Sequence, residues 1–309
     1  MVVASSLITK SLSISTLRSY RRAWVVFLDF QLLYPRGDTG QVKYMVAFVS
    51  YCHSVLALSY NTIRLYLAGV QHFLALQEPD RPSIFSAHPI KAILRGIQKS
   101  QVTVKSVRQP ISGDTFRSLS EVLTLSPFGV LPSLVIKAAM YLAFYGFLRP
   151  GEVTQARQGA VALHKGDLVR MGSNFHLQLP HNKTRQVGPG HVVKFFQTTN
   201  AWCPVTVLDN LLLALSLHSP TDPLLPFPVG PLTSSQFIKH IRILLTSVGL
   251  NPAQFSGHSF RIGAASAASK HGVPAHIIKH LGRWRSGCFV RYIPEPQAEL
   301  VQAFSKLAE

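Results

Sequence analysis

Residues 257–292 read GHSFRIGAASAASKHGVPAHIIKHLGRWRSGCFVRY and combine several side chains suited to one chemistry. His258 and Arg261 are three residues apart, a spacing that puts two side chains on one face of a helix. An arginine fork binds phosphate oxygens, and a histidine exchanges protons near neutral pH. Tyr292 ends the stretch with a hydroxyl that can attack phosphorus and form a covalent intermediate. The stretch therefore predicts a site for phosphodiester chemistry.

Two phrases in this stretch, LGRW at 281–284 and FVRYI at 289–293, carry a family resemblance. They resemble the tyrosine recombinases, or phage integrases, and most of all the recombinases of eukaryotic mobile elements of the DIRS, Ngaro and Crypton kind. Further family motifs occur upstream in the expected order, so the resemblance covers nearly the whole chain. It implies a mainly α fold with a small antiparallel β-sheet: a helical core-binding domain, then a tyrosine recombinase catalytic domain. It also implies site-specific DNA cleavage and rejoining through a 3′-phosphotyrosyl intermediate.

The composition restricts the class of partner. The 309 residues suffice for two domains, and 47% hydrophobic residues can form substantial cores. Lys and Arg number 31 against 13 Asp and Glu, and a net charge of +18 favours a polyanion, with nucleic acid as the first candidate. The most apolar run, 133–148, is short and contains Lys137, so we expect no membrane association. Cys52, Cys203 and Cys288 are widely spaced, which indicates a reducing compartment; with the resemblance, we expect the nucleus.

Hydrophobic periodicity predicts helices on both sides of a basic linker. We expect a helical DNA-binding domain at 1–100, a linker at 101–110 and a catalytic domain with a C-terminal tail helix at 111–309. The predicted helices are 17–34, 42–55, 59–76, 88–100, 132–148, 204–218, 233–249, 257–271, 274–281 and 297–308, and a further helix is expected to open at 111–114. The predicted strands are 168–171, 175–179 and 191–196.

Local sequence also predicts where helices begin and how closely they pack. Polar residues ahead of a helix are expected to cap it. The candidate caps are Ser15 or Thr16, Ser59 or Asn61, and Ser112 or Asp114. The run IGAASAAS after Arg261 has small side chains, so we expect its helix to lie close to its neighbours.

The upstream motifs surround Arg149 and Lys183. Arg149 follows an apolar helix in LAFYGFLRPGEV, and by resemblance it binds a phosphate oxygen while Glu152 orients it. Taken alone, that pair would indicate a solvated helix end with its ion pair. Lys183 lies in PHNKTRQVGPG between two predicted strands. The resemblance makes it the general acid for the leaving 5′ oxygen, a task for which an amine is better suited than a guanidinium. Arg185 and Lys194 are nearby rivals.

The remaining catalytic candidates lie in the 257–292 stretch. By resemblance, Arg261 is the second phosphate clamp and Tyr292 the nucleophile, assisted by His258. The alternative is a core histidine and a structural salt bridge, which the scarcity of acids makes less attractive. The family has His or Trp a fixed distance before the tyrosine. Counting without gaps gives Arg283, whereas aligning Gly-x-Trp gives Trp284. We prefer Trp284, because an indole both packs and donates a hydrogen bond, and keep Arg283 as a supporting residue that can touch phosphate.

Basic residues elsewhere are candidate DNA contacts, although each one singly fits a solvated helix face nearly as well. They are Arg18, Arg21, Arg22, Arg64, Lys99, Lys105 and Arg108. His276 and His280 are four residues apart, but the sequence offers no evident third ligand, so we expect neither a metal nor a cofactor.

The resemblance implies double-stranded DNA as partner and a homotetramer on DNA, with a monomer or weak oligomer otherwise. The tail at 293–309 is expected to form an amphipathic helix that docks on a neighbouring protomer, or else on its own domain. Three alternatives remain: a type IB topoisomerase, a domesticated and catalytically silent DNA-binding protein, and a basic scaffold without DNA chemistry.

Overall fold

The structure is a computed structural model that describes residues 11–80, 82–101, 108–156, 160–179, 190–292 and 305. The chain divides into two compact units, Met1–Lys105 and Ser106–Glu309. Much of the expected linker at 101–110 lies outside the described residues, since 102–107 are not described. The expected tail helix at 297–308 also lies outside them, apart from Ser305.

Within its described residues, the N-terminal unit is built from four α-helices. They are α1 (Ile14–Leu33), α2 (Gln41–Ser54), α3 (Tyr60–Gln77) and α4 (His88–Ser100), with a 3₁₀ turn at Ile84–Ser86. Helices α1 and α3 pack closely because Gly69 has no side chain: a Cβ there would lie 2.9 Å from the Tyr20 Cα. Phe27, Phe48 and Leu67 fill the core between the helices. The four helices predicted for this part of the chain are thereby confirmed.

One predicted cap is wrong, and two are confirmed. Ser13, and not Ser15 or Thr16, caps α1: its backbone is extended and its hydroxyl accepts a hydrogen bond from the Thr16 N–H. The periodic apolar pattern becomes visible about one turn after the helix has begun, so it indicated a start that was too late. Ser59 caps α3, and Ser112 caps the first helix of the C-terminal unit.

The C-terminal unit is mainly helical with a small antiparallel sheet, which confirms the predicted fold class. Its helices are α5 (Gly113–Thr124), α6 (Val130–Tyr145), α7 (Pro150–Val153), α8 (Pro204–Ala214), α9 (Ser234–Ser247), α10 (Ser259–Lys270) and α11 (Ala275–Leu281). Strands β1 (Leu168–Met171), β2 (Asn174–Leu179) and β3 (His191–Phe195) pair in the order β1-β2-β3, and β4 (Pro226–Phe227) pairs with β5 (Gly230–Pro231). The 3₁₀ turns are Lys165–Asp167, Pro252–Gln254 and Gly287–Tyr292.

Helix α6 forms the centre of this unit. Apart from Ser133 and Lys137 its side chains are apolar or aromatic, and it packs against α5, α8 and α10, as expected for a helix inside a core. It ends at Tyr145 and not at 148 as predicted, because Gly146 and Phe147 turn the chain away, and Phe147 has a left-handed φ of +50°. Helix α8 also ends early, at Ala214 instead of 218. No helix among the described residues is long and apolar enough to cross a membrane.

Helix α10 lies against the chain that leads into α5, as its small residues predict. Gly263 is the point of closest approach: a Cβ there would overlap the carbonyl group of Ile111. The Ile111 N–H donates a hydrogen bond to the Ser259 carbonyl, 3.0 Å away, which holds the two segments in register. This packing fixes the helix that carries Arg261.

We therefore expect Gly263→Ala to lower the free energy of unfolding of the C-terminal unit by roughly 1 to 3 kcal/mol, since backbone atoms of Ile111 cannot rotate away from a methyl group. Gly113→Ala is the control, because its Cβ would meet only the end of the Arg117 side chain, at 3.7 Å. Urea unfolding followed by tryptophan fluorescence measures both. Equal midpoints for the two variants would contradict the packing described.

Candidate active site

Arg149 is held at the start of α7 by Glu152. It is the N-cap residue of that helix, and Pro150 occupies the first turn, where its missing N–H is not needed. The Glu152 carboxylate accepts a hydrogen bond from the Arg149 backbone N–H at 2.8 Å and one from Nη1 of its side chain at 2.9 Å. The Arg149 side chain remains 35% exposed, whereas that of Glu152 is 9% exposed. Backbone and guanidinium are thus fixed together, and Arg149 remains accessible.

The same carboxylate faces two further guanidinium groups. Its Oε2 lies 3.3 Å from Nη2 of Arg283 and 3.7 Å from Nη1 of Arg261. Three positive charges share one negative charge, and the side chains of Arg261 and Arg283 are only 5% and 13% exposed. Uncompensated charge in such a poorly solvated place is costly, so the cluster favours an anion beside it.

Arg261 projects from α10 into the interior. Its Nη1 donates to the Phe147 carbonyl at 2.8 Å, its Nη2 donates to the Gly282 carbonyl, and its guanidinium lies 4.6 Å over the Trp284 ring. Burial first, and the charge of Arg149 next, lower its pKa to about 10, so it stays cationic at neutral pH. The scarcity of acids did not rule out protein partners for Arg261, because two backbone carbonyls and the Glu152 carboxylate lie beside its guanidinium.

The LGRW phrase forms a tight reversal after α11. The helix ends at Leu281, and Arg283 takes a left-handed φ of +54°. Gly282 must be glycine, because the Trp284 indole occupies the space that a Cβ would need. Trp284 is 9% exposed and packs in a small cluster with Phe147 and other apolar residues. The Trp284 ring thus packs against the Arg261 guanidinium.

Tyr292 lies at the end of the 3₁₀ turn Gly287–Tyr292, beside that cluster. Its ring centre is 6.0 Å from that of Trp284. The Ser266 hydroxyl donates to the Tyr292 carbonyl at 2.6 Å and anchors its backbone. The sequence analysis missed Ser266; its signal is a hydroxyl within a run of alanines.

His258 stands at the N-cap of α10, one residue before the helix on which we expected it. Desolvation, followed by the positive charges of Arg149 and Arg261, lowers its pKa below the ordinary 6.5, so its imidazole is neutral at pH 7. A cavity of about 530 Å³ opens beside it. Its lining includes Arg149, Glu152, Ser234, Ile238, Gly257 and His258.

Thus the structure brings together Arg149, Glu152, His258, Arg261, Arg283, Trp284 and Tyr292. The charge of Arg108 also lowers the pKa of His258, after burial and the charges of Arg149 and Arg261. Lys183, its rival Arg185, and Lys105 lie outside the described residues. Lys194 is exposed on β3, where it pairs with His176 of β2.

The other expected residues are on helix surfaces. Exposed positions in the N-terminal unit include Arg18, Arg21, Arg22, Arg64 and Lys99. His276 and His280 are exposed on α11, and no group of His, Cys, Asp or Glu among the described residues is arranged to hold a metal ion.

Two basic stripes were missed in the sequence. Lys91 and Arg95 are exposed in line with Lys99 on α4, and Lys239 and Arg242 are exposed on α9. Their signal is a helical spacing of three or four residues with no intervening acid. Both stripes are suited to phosphate contacts.

The lowered pKa of His258 can be tested through its neighbour Arg149. Removing a positive charge makes protonation easier, so Arg149→Ala should raise the His258 titration midpoint toward 6.5, as measured by NMR of the imidazole. Arg170→Ala, which removes a guanidinium paired with Asp209 on the surface, should leave that midpoint unchanged. An unchanged midpoint in Arg149→Ala would show that the two side chains are not close.

Comparisons with known proteins find recombinases and integrases. No family model matches the chain. An integrase/recombinase XerD homolog from Selenomonas ruminantium is 24% identical over 301 residues, which cover 93% of this chain and 83% of that protein.

Solved structures show a likeness of fold. The XerH site-specific recombinase in its post-cleavage complex with palindromic difH has a TM-score of 0.67 and 14% identity, covering 94% of this chain and 80% of that one. The Tn1549 transposon integrase in complex with transposon right end DNA has a TM-score of 0.66 and 11% identity, covering 99% and 98%. A lambda integrase dimer bound to a core site has a TM-score of 0.63 and 15% identity, covering 94% and 93%. The chain is therefore similar in sequence to a XerD homolog and shares its fold with solved recombinases and integrases.

Proposed function

We propose that this chain is a site-specific DNA recombinase or integrase that breaks and rejoins strands through a tyrosine–phosphate bond. The observation that carries the proposal is the cluster of Arg149, Arg261, His258 and Tyr292, which come from three distant parts of the sequence and surround a common anion-favouring place. The XerD homolog and the DNA-bound recombinases of similar fold support it.

The proposed reaction starts with attack by Tyr292. Its hydroxyl oxygen forms a bond to the scissile phosphorus, and the bond from phosphorus to the 5′ oxygen breaks. Arg149 and Arg261 stabilise the charge that develops on the phosphate oxygens, which is electrostatic catalysis by preorganised donors. His258 is neutral at pH 7 and can therefore accept the tyrosine proton. Trp284 supports Arg261 and Tyr292 by packing.

Lys183 is proposed as the acid that protonates the leaving 5′ oxygen. An ammonium group gives up a proton far more readily than a guanidinium does. The 3′-phosphotyrosyl bond conserves the energy of the broken phosphodiester, and attack by a 5′ hydroxyl on that bond restores the strand and frees Tyr292. Ligation then requires no nucleotide cofactor.

Double-stranded DNA is the proposed partner of the basic surfaces. A net charge of +18 supports strong, salt-dependent phosphate binding. The stripes on α4 and α9, with Arg18, Arg21 and Arg64, are candidate contacts. We propose a homotetramer during strand exchange, with the tail at 293–309 docked on a neighbouring protomer. The dimer of lambda integrase on its core site supports assembly on DNA in this family.

The finer identity rests on sequence phrases alone. LGRW and FVRYI favour the recombinases of DIRS, Ngaro and Crypton elements, and an enzyme of that kind acts in the nucleus. Cleavage assays on the termini of such elements test this assignment. The comparisons do not favour a topoisomerase or a silent DNA-binding protein.

Covalent trapping tests the proposed function directly. The protein is incubated with nicked duplexes of randomised sequence, whose cleaved 5′ fragment diffuses away and leaves the enzyme attached to the 3′ phosphate. We expect a covalent adduct that survives denaturation, and a loss of at least about a thousandfold in its rate with Tyr292→Phe. Sequencing the recovered DNA then defines the site.

Tyr145→Phe is the matched control, because it removes a hydroxyl of the same unit that donates to the Trp202 carbonyl and lies outside the proposed site. It should form adduct normally. DNA binding without any adduct from the wild type would favour a silent protein, and relaxation of supercoiled DNA without site preference would favour a topoisomerase.

A further inference from the structure

Arg283 has no role in the chemistry proposed above, although counting without gaps places it where the family has His or Trp. Its left-handed φ of +54° is uncommon for a residue with a side chain and is kept only where the surroundings require it. The reversal sends the Trp284 indole into the aromatic cluster and the Arg283 guanidinium toward the chain that precedes Arg149.

The guanidinium of Arg283 contacts backbone carbonyls and one carboxylate. Nη1 donates to the carbonyls of Gly146 at 3.0 Å and Leu281 at 3.2 Å, and Nη2 lies 3.4 Å from the Phe147 carbonyl and 3.3 Å from Oε2 of Glu152. The side chain is 13% exposed, and its buried Nε has no hydrogen-bond partner among the residues that the structure describes. A guanidinium enclosed in this way is poorly placed to reach a DNA phosphate.

Apart from the hydrogen bond to Leu281, these contacts are with the two supports of Arg149. The first is the turn that precedes it, where Phe147 has a φ of +50° and its carbonyl also accepts from Arg261 at 2.8 Å. The second is Glu152, whose Oε2 accepts from the Arg149 backbone N–H at 2.8 Å. Arg283 therefore connects the turn before Arg149 with the carboxylate that orients it.

We propose that Arg283 is a positioning residue that fixes Arg149 through the Gly146–Phe147 turn and Glu152, and that it does not bind the phosphate itself. The inference rests on the proposed function, in which Arg149 contacts the scissile phosphate. The planar fork matters as much as the charge, because lysine offers a single nitrogen and cannot reach two carbonyls and a carboxylate together.

His258 provides a readout that does not need catalysis. The charges that act on its pKa are those of Arg149, Arg261, Glu152 and Arg108. A substitution of Arg283 can therefore change this pKa only by letting one of these groups move. In Arg283→Gln, Arg149 is released from its position, and the His258 midpoint should rise toward 6.5, as in Arg149→Ala. Arg285→Gln is the control, since it removes an exposed charge two residues away. An unchanged midpoint in Arg283→Gln, with a raised one in Arg149→Ala, overturns the proposal.

Cleavage kinetics form the second arm. Arg283→Gln should slow adduct formation at saturating DNA by about ten- to a hundredfold, as expected for a misplaced catalytic group. Arg149→Lys combined with Arg283→Gln should be no more than about threefold slower than Arg149→Lys alone, because the second change acts through Arg149. Losses that multiply in the double variant identify Arg283 as an independent phosphate ligand and overturn the proposal.

Arg283→Lys keeps the positive charge and removes the planar fork of donors, so it separates the effect of charge from that of positioning. It replaces Arg283→Gln in both assays if that variant does not fold. It should slow cleavage nearly as much and raise the His258 midpoint, whereas wild-type behaviour in both assays overturns the proposal. The two arms also separate this inference from the proposed function. If the wild type forms no adduct, the proposed function fails, and the His258 titrations still decide whether Arg283 positions Arg149.

Discussion

One carboxylate, that of Glu152, organises the site. It receives Arg149 through both backbone and side chain, and it faces Arg261 and Arg283 from the other side. A single negative charge cannot neutralise three guanidinium groups, so the cluster retains positive charge in a poorly solvated place. An incoming phosphodiester supplies the missing negative charge. The excess positive charge would then both bind the phosphodiester and stabilise the negative charge that develops on it during the reaction.

The packing around Trp284 and Gly263 explains the residue types found in these motifs. The Trp284 indole occupies the space of a Cβ at Gly282, and its ring packs against the Arg261 guanidinium. Gly263 lets α10 approach the chain near Ile111, and this close packing fixes the position of Arg261 in the interior. Small residues and glycines in this part of the sequence therefore have a structural purpose, namely to bring a charged side chain into the interior.

Much of the fold followed from the sequence, because helix periodicity and polar caps are local signals. The small sheet was visible from the turns around 172–174 and 188–190, and the candidate site residues were chosen from their order in the chain. Local signals fail where distant parts of the chain meet. Arg261 donates to carbonyls of Phe147 and Gly282, which lie 114 and 21 residues away, and no spacing rule indicates such pairs. The early end of α6 at Tyr145 and the left-handed Arg283 have the same tertiary origin.

Glu152 holds three guanidinium groups in place. The stability of Glu152→Gln tests this role most directly. Removing a carboxylate that is 9% exposed leaves buried positive charges without compensation, and we expect the free energy of unfolding of the C-terminal unit to fall by about 3 to 5 kcal/mol. Asp209→Asn is the matched comparison, because that acid pairs with Arg170 on the surface and such pairs contribute about 1 kcal/mol or less. Urea unfolding of both variants at the same ionic strength gives the difference. A loss in Glu152→Gln no larger than that in Asp209→Asn would contradict the account.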